Sequence, residues 1–219
     1  MTFSDYVAGK TIAVVGPAPI PVDQSAEIDA HDLVYRVAGS VDLAGHYGTR
    51  CDIVYLNGAL GRSILDDDHE HLRRHMDPAT WWVYKAKHNR AYRPSGLERI
   101  AARPPIQNPN AVTGILWDLT AFDPASITVY GADLYAGGPG NAYYSDYDRR
   151  DVGGQAQGII LHKPLEQMAI HRQVYATGII KGDDRYVAAV NMSDEDYKAV
   201  IDRWQDVYQT YQAAQAALT

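Results

Sequence analysis

One histidine pair and one single histidine stand where their type and spacing could do chemistry, since imidazole titrates nearer neutrality than any other unperturbed side chain. His71 and His75 lie four apart in a stretch that also holds Asp66, Asp67, Asp68 and Glu70. That spacing puts two imidazoles on one helical face and can hold a metal ion, although a solvated, well-charged helix explains the same residues. His162 precedes the helical segment 163–175, where the positive end of the helix dipole disfavours the imidazolium and keeps the ring a neutral proton acceptor. By position alone it is more often an ordinary histidine at a helix N-terminus. Glu166, about one helical turn further on, is placed either to orient that ring or to oppose the effect of the dipole on it. Cys51 is the only cysteine, which excludes an intrachain disulfide and a cysteine metal cluster and reads as a small buried side chain.

Sixteen tyrosines stand against two phenylalanines, and tyrosine serves where an aromatic body must end in a hydroxyl, as around a polar ligand. Tyr143, Tyr144 and Tyr147 fall in segment 136–158, rich in Gly, Tyr and Asp and without an apolar period. So long a segment in a compact domain reads as an active-site lid, and its tyrosines read as ligand contacts or as surface.

Elements must hold these residues. Segment 11–15 (TIAVV) is a β-branched run stopping at Gly16-Pro17, and 33–37, 52–56, 81–84 and 127–130 read as further strands. Helical spacing runs through 111–122, 163–175 and from Ser193 onward, with a polar helix at 66–75. Short strands alternating with helices imply a Rossmann-like α/β/α sandwich with a mainly parallel sheet, one domain over 1–219. The loop after Gly16, the loop at Asn57 and the loop at Asp133 then meet at the carboxyl edge, the usual ligand crevice of open α/β sheets. The first loop has neither G-x-G-x-x-G nor a P-loop lysine. Net charge is −7 and basic residues form no stripe, which argues against nucleic acid. No stretch reaches the roughly 18 apolar residues of a membrane span, and the N-terminus lacks a signal core, so the cytoplasm is the expected compartment.

Several blocks together resemble the sialyltransferases, of both the animal Golgi type and the bacterial lipooligosaccharide type. Val14-Val15-Gly16-Pro17-Ala18, residues 28–36 ending in Arg36, and residues 48–57 ending in Asn57 look like the family's long donor-binding motif. Residues 108–114, containing Thr113-Gly114, followed by 127–133 ending in Asp133, resemble the short one. His162-Lys163-Pro164-Leu165-Glu166 with Ile179-Ile180-Lys181-Gly182 resembles the closing motif, whose histidine is the base. Where the family holds the nucleotide with asparagines, this chain has Pro17 or Ala18 and Ala38.

The resemblance implies a GT-A-like variant of the Rossmann architecture and an inverting glycosyltransferase. It would move an acidic sugar, sialic acid first and Kdo second, from a CMP-sugar donor to a hydroxyl acceptor. His162 would be the base and Glu166 its neighbour; Gly16, Pro17, Arg36, Asn57, Thr113, Gly114 and Asp133 would line the donor site, with Tyr143, Tyr144 and Tyr147 on the phosphate. Because a phosphate monoester leaves, hydroxyls and the amides opening the helix at 111 could meet its charge without a metal or other cofactor. Two rivals stand beside this reading. Asp146-Tyr147-Asp148 is the Asp-x-Asp of metal-dependent transferases using other nucleotide sugars, and a family member without the asparagines could bind a nucleotide without catalysis. Acceptor and oligomeric state stay open.

Overall fold

The computed structural model describes residues 1–37, 45–56, 81–84, 90–93, 96–99, 105–143 and 151–218. Helix α1 (Phe3–Val7) precedes β1 (Thr11–Val15), α2 (Ser25–Asp29), β2 (Leu33–Val37), β3 (Ile53–Leu56) and β4 (Trp81–Tyr84). Then come β5 (Arg90–Arg93), β6 (Gly96–Arg99), α3 (Ala111–Leu119), β7 (Ser126–Tyr130), α4 (Val152–Leu161) and α5 (Pro164–Tyr175). The chain closes with β8 (Ile180–Gly182), α6 (Asp184–Asn191) and α7 (Asp194–Ala216).

The described strands form one sheet in the order β6-β5-β4-β3-β2-β1-β7-β8. The β4-β3-β2-β1-β7-β8 pairings are all parallel, whereas β4–β5 and β5–β6 at the far edge are antiparallel. All residues of β2 and β3 are buried, as expected of parallel strands covered on both faces. Alternation divides the core in two. Ile12, Val14, Tyr35, Ile53 and Tyr55 join the larger cluster, together with residues of α1 and of α3 through α7. Ala13, Val15, Val34 and Tyr130 face the other way, onto Ile20, Ile28 of α2 and Tyr47. The fold is therefore α/β/α and Rossmann-like. β1 is the switch point, pairing β2 on one side and β7, far along the chain, on the other.

Segment 136–158 does not stay irregular to its end, because residues 152–158 belong to α4. Asp151 caps that helix, accepting from the Gly154 amide at 2.7 Å, and Ala156 and Ile159 are buried three apart. Its glycines lower helix propensity, but α4 packs closely along α7, with Gly153 against the Tyr211 ring, so tertiary packing overrides propensity. The helix expected at 66–75 lies outside the described residues.

Candidate functional site

Parallel strands bring the loops after β1 and β7 side by side at the carboxyl edge. The Gly16 amide donates to the Tyr130 carbonyl at 2.8 Å and the Ala18 amide to the Gly131 carbonyl at 2.7 Å. A Cβ at Gly16 would lie 2.5 Å from the Gly131 carbonyl oxygen, so this approach of the two loops requires glycine. Pro17 follows, half-buried. Arg185, in the first turn of α6, ties the pair together by donating to the Pro19 carbonyl at 2.8 Å and pairing with Asp133 at 2.6 Å. Asp133 is buried and also accepts from the amides of Tyr135 and Gly137. Burial raises its pKa, and Arg185 opposes that rise.

The same edge carries the starts of α3 and α5. At the corner between α4 and α5, Lys163 takes a left-handed conformation (φ 53°) and Pro164 opens the new helix. His162 is half-buried there, its Nδ1 2.8 Å from the Asn108 carbonyl oxygen. A carbonyl only accepts, so Nδ1 carries the hydrogen and Nε2 is the proton-accepting nitrogen of the neutral ring. The Asn108 side chain returns a bond to the Leu161 carbonyl at 3.1 Å, lacing the two segments together. His162 also caps the C-terminus of α4, so a negative helix end opposes the positive end of α5. The two helix ends thus act on the ring with opposite signs, and the Asn108 contact sets the tautomer. Glu166 is exposed and pairs with Lys163 at 3.1 Å, leaving ring orientation to Asn108.

No protein-family model and no curated protein matches this chain.

Three expected donor contacts are internal. Arg36 is fully buried; its guanidinium donates to the carbonyls of Arg50 (2.6 Å) and Tyr47 (2.7 Å), pinning segment 45–50. Thr113 is fully buried too, its hydroxyl 2.6 Å from Gln167 Oε1, 2.9 Å from Asn110 Oδ1 and 2.9 Å from His171 Nε2. Its amide is taken by the Asn110 side chain at 2.8 Å, so it is not among the amides open to an anion. Gly114 is a contact between helix and sheet, where a Cβ would fall 2.6 Å from the Tyr55 hydroxyl. Tyr143 is half-buried with its ring edge-on to Tyr135, centroids 6.4 Å apart. Asn57, Tyr144, Tyr147, Asp146, Asp148 and the His71/His75 pair lie outside the described residues. Among the described residues no group of three or more His, Cys, Asp or Glu is placed to hold a metal ion, and no helix is long and apolar enough to cross a membrane. Burial pushes the Cys51 thiol up to about 12, which makes it a poor nucleophile.

The residues that organise the His162 corner were not singled out from sequence. Gln167 and His171, one turn apart on α5, are buried polar side chains, and Tyr186 of α6 lies 3.2 Å from His171 Nδ1. Burial lowers the His171 pKa to about 3, so the ring is neutral. Only Asn110 left a local signal, an asparagine directly ahead of a helix, and it caps α3.

Proposed function

We propose that this chain is an inverting, metal-independent glycosyltransferase, resembling sialyltransferases, that moves an acidic sugar from a CMP-linked donor to a hydroxyl acceptor. The observation that carries this reading is His162, set at the carboxyl edge with Nδ1–H on the Asn108 carbonyl and Nε2 as its basic nitrogen. Nε2 takes the acceptor hydroxyl proton, the acceptor oxygen bonds to the anomeric carbon, and the bond from that carbon to the phosphate oxygen breaks, releasing CMP with inversion. Gly16 and Asp133 follow strands and His162 precedes a helix at one edge of the sheet, which supports this reading. Pro17 and Ala38, standing where the family has asparagines, support a second reading, a nucleotide-binding protein of this fold without transfer activity.

A thermal-shift panel with CMP, UDP, GDP and NAD tests the first reading, with EDTA and with Mg²⁺. CMP alone should stabilise the chain, by roughly 2.7 kcal/mol at 100 times its dissociation constant, and EDTA should leave that shift intact. A shift with UDP or GDP that EDTA abolishes and Mg²⁺ restores would move the assignment to a metal-dependent transferase. CMP binding without hydrolysis of CMP-sialic acid would leave the binder.

A further inference from the structure

We infer that Gln167 is a positioning residue, whose carboxamide fixes the corner between α4 and α5 so that His162 keeps its Nδ1–H tautomer and presents Nε2. The inference rests on the base role proposed for His162. Gln167 is buried on α5 and contacts three groups at once. Its Oε1 accepts from the Asn110 amide at 2.9 Å and lies 2.6 Å from the Thr113 hydroxyl, while its Nε2 donates to the His162 carbonyl. The orientation of the carboxamide is forced, because a main-chain N–H must face an oxygen and a main-chain carbonyl must face an N–H.

Directions propagate from there. The Thr113 hydroxyl has one proton and two oxygens in reach, Gln167 Oε1 at 2.6 Å and Asn110 Oδ1 at 2.9 Å; donated to the nearer, it leaves its oxygen to accept from His171 Nε2–H, and His171 Nδ1 accepts from the Tyr186 hydroxyl. A directed chain of hydrogen bonds thus runs from Tyr186 on α6 through His171, Thr113 and Gln167 to the His162 carbonyl. Such buried chains polarise one another and rigidify what they hold. The end they hold is a corner with a left-handed, non-glycine Lys163, a conformation that persists only where its surroundings over-determine it. Gln167 holds the main chain of His162 while Asn108 holds its ring.

Two substitutions separate positioning from bulk support. As a carboxylate, Gln167→Glu still accepts from Asn110 and Thr113 but cannot donate to the His162 carbonyl, whereas Gln167→Met loses all three bonds. The readouts are the His162 tautomer, from two-bond ¹H–¹⁵N spectra of ¹⁵N-histidine-labelled full-length chain assigned with His162→Ala, and hydrolysis of CMP-sialic acid. In folded variants His162 should leave the Nδ1–H form, and kcat should fall on the order of 10²-fold with KM unchanged, the usual effect of a misplaced reacting group. Added to His162→Ala, the same substitution should cost nothing more. An unchanged tautomer, or an equal loss of kcat in the His162→Ala background, overturns the inference. Should neither variant fold, side-chain amide exchange at Gln167 in the wild type decides: slow exchange supports the bond to His162, and rapid exchange overturns it. A wild type that turns over no CMP-sialic acid sinks the proposed function, while the tautomer result still judges Gln167.

Discussion

His171 is kept neutral by burial between Thr113 and Tyr186, and this should be visible in the pH dependence of stability. Its pKa is about 3 in the folded chain, against an ordinary value near 6.5 when unfolded. Between those values the unfolded state binds the extra proton, so the contribution is complete above about pH 6.5 and is lost as pH falls toward 3, with a limiting slope of about 1.4 kcal/mol per pH unit. Asp133 and Asp183 have raised pKa values through burial, which acts with the opposite sign. Comparing the wild type with His171→Gln, which keeps both aspartates, isolates the histidine between about pH 6.5 and 5. Urea unfolding across that window should lose stability more steeply in the wild type than in His171→Gln, and parallel slopes would contradict the neutral, buried ring. Residue roles were the least legible part of the sequence. The resemblance implies ligand contacts at Thr113 and Arg36, but their partners, Gln167 and the carbonyls of segment 45–50, lie elsewhere along the chain. His162 reads from sequence as the residue just before a helix, as it is, yet the helix it closes and the Asn108 carbonyl, 54 residues away, do not show in the sequence.

Between residues and the whole chain, the contact of the β1 and β7 loops gives the cleanest test. A methyl group at Gly16 meets main chain, the Gly131 carbonyl, which cannot swing aside as a side-chain tip can. Gly16→Ala should therefore destabilise by about 1–3 kcal/mol, the usual cost of overpacking. Chemical denaturation checks this, and a variant of unchanged stability with weakened CMP binding would show that Gly16 serves the ligand instead. Elements with strong local signals were legible: β1, β2 and β4 from their apolar runs, α7 from its Ser193 cap and apolar face. The β5–β6 hairpin and α4 were not. The hairpin is short and arginine-rich at the sheet edge, and α4 opens on Val-Gly-Gly and is held by α7.

At the scale of the whole molecule, the sheet order makes one place special. β1 sends its chain one way to β2 and pairs on the other side with β7, so the loops after β1 and β7 and the starts of α3 and α5 gather at a single edge. That gathering was legible from the alternation of strands and helices; the closeness with which the two loops pack was not, because it depends on Gly16 and Gly131 meeting across the sheet. The account stands or falls on His162 at that edge. Hydrolysis of CMP-sialic acid should be measured for the wild type and for His162→Ala, with CMP affinity and melting temperature taken on the same samples. Turnover should fall on the order of 10² to 10⁴-fold, the worth of a positioned general base, with affinity and melting temperature almost unchanged. A His162→Ala variant with wild-type stability and wild-type turnover would contradict the account.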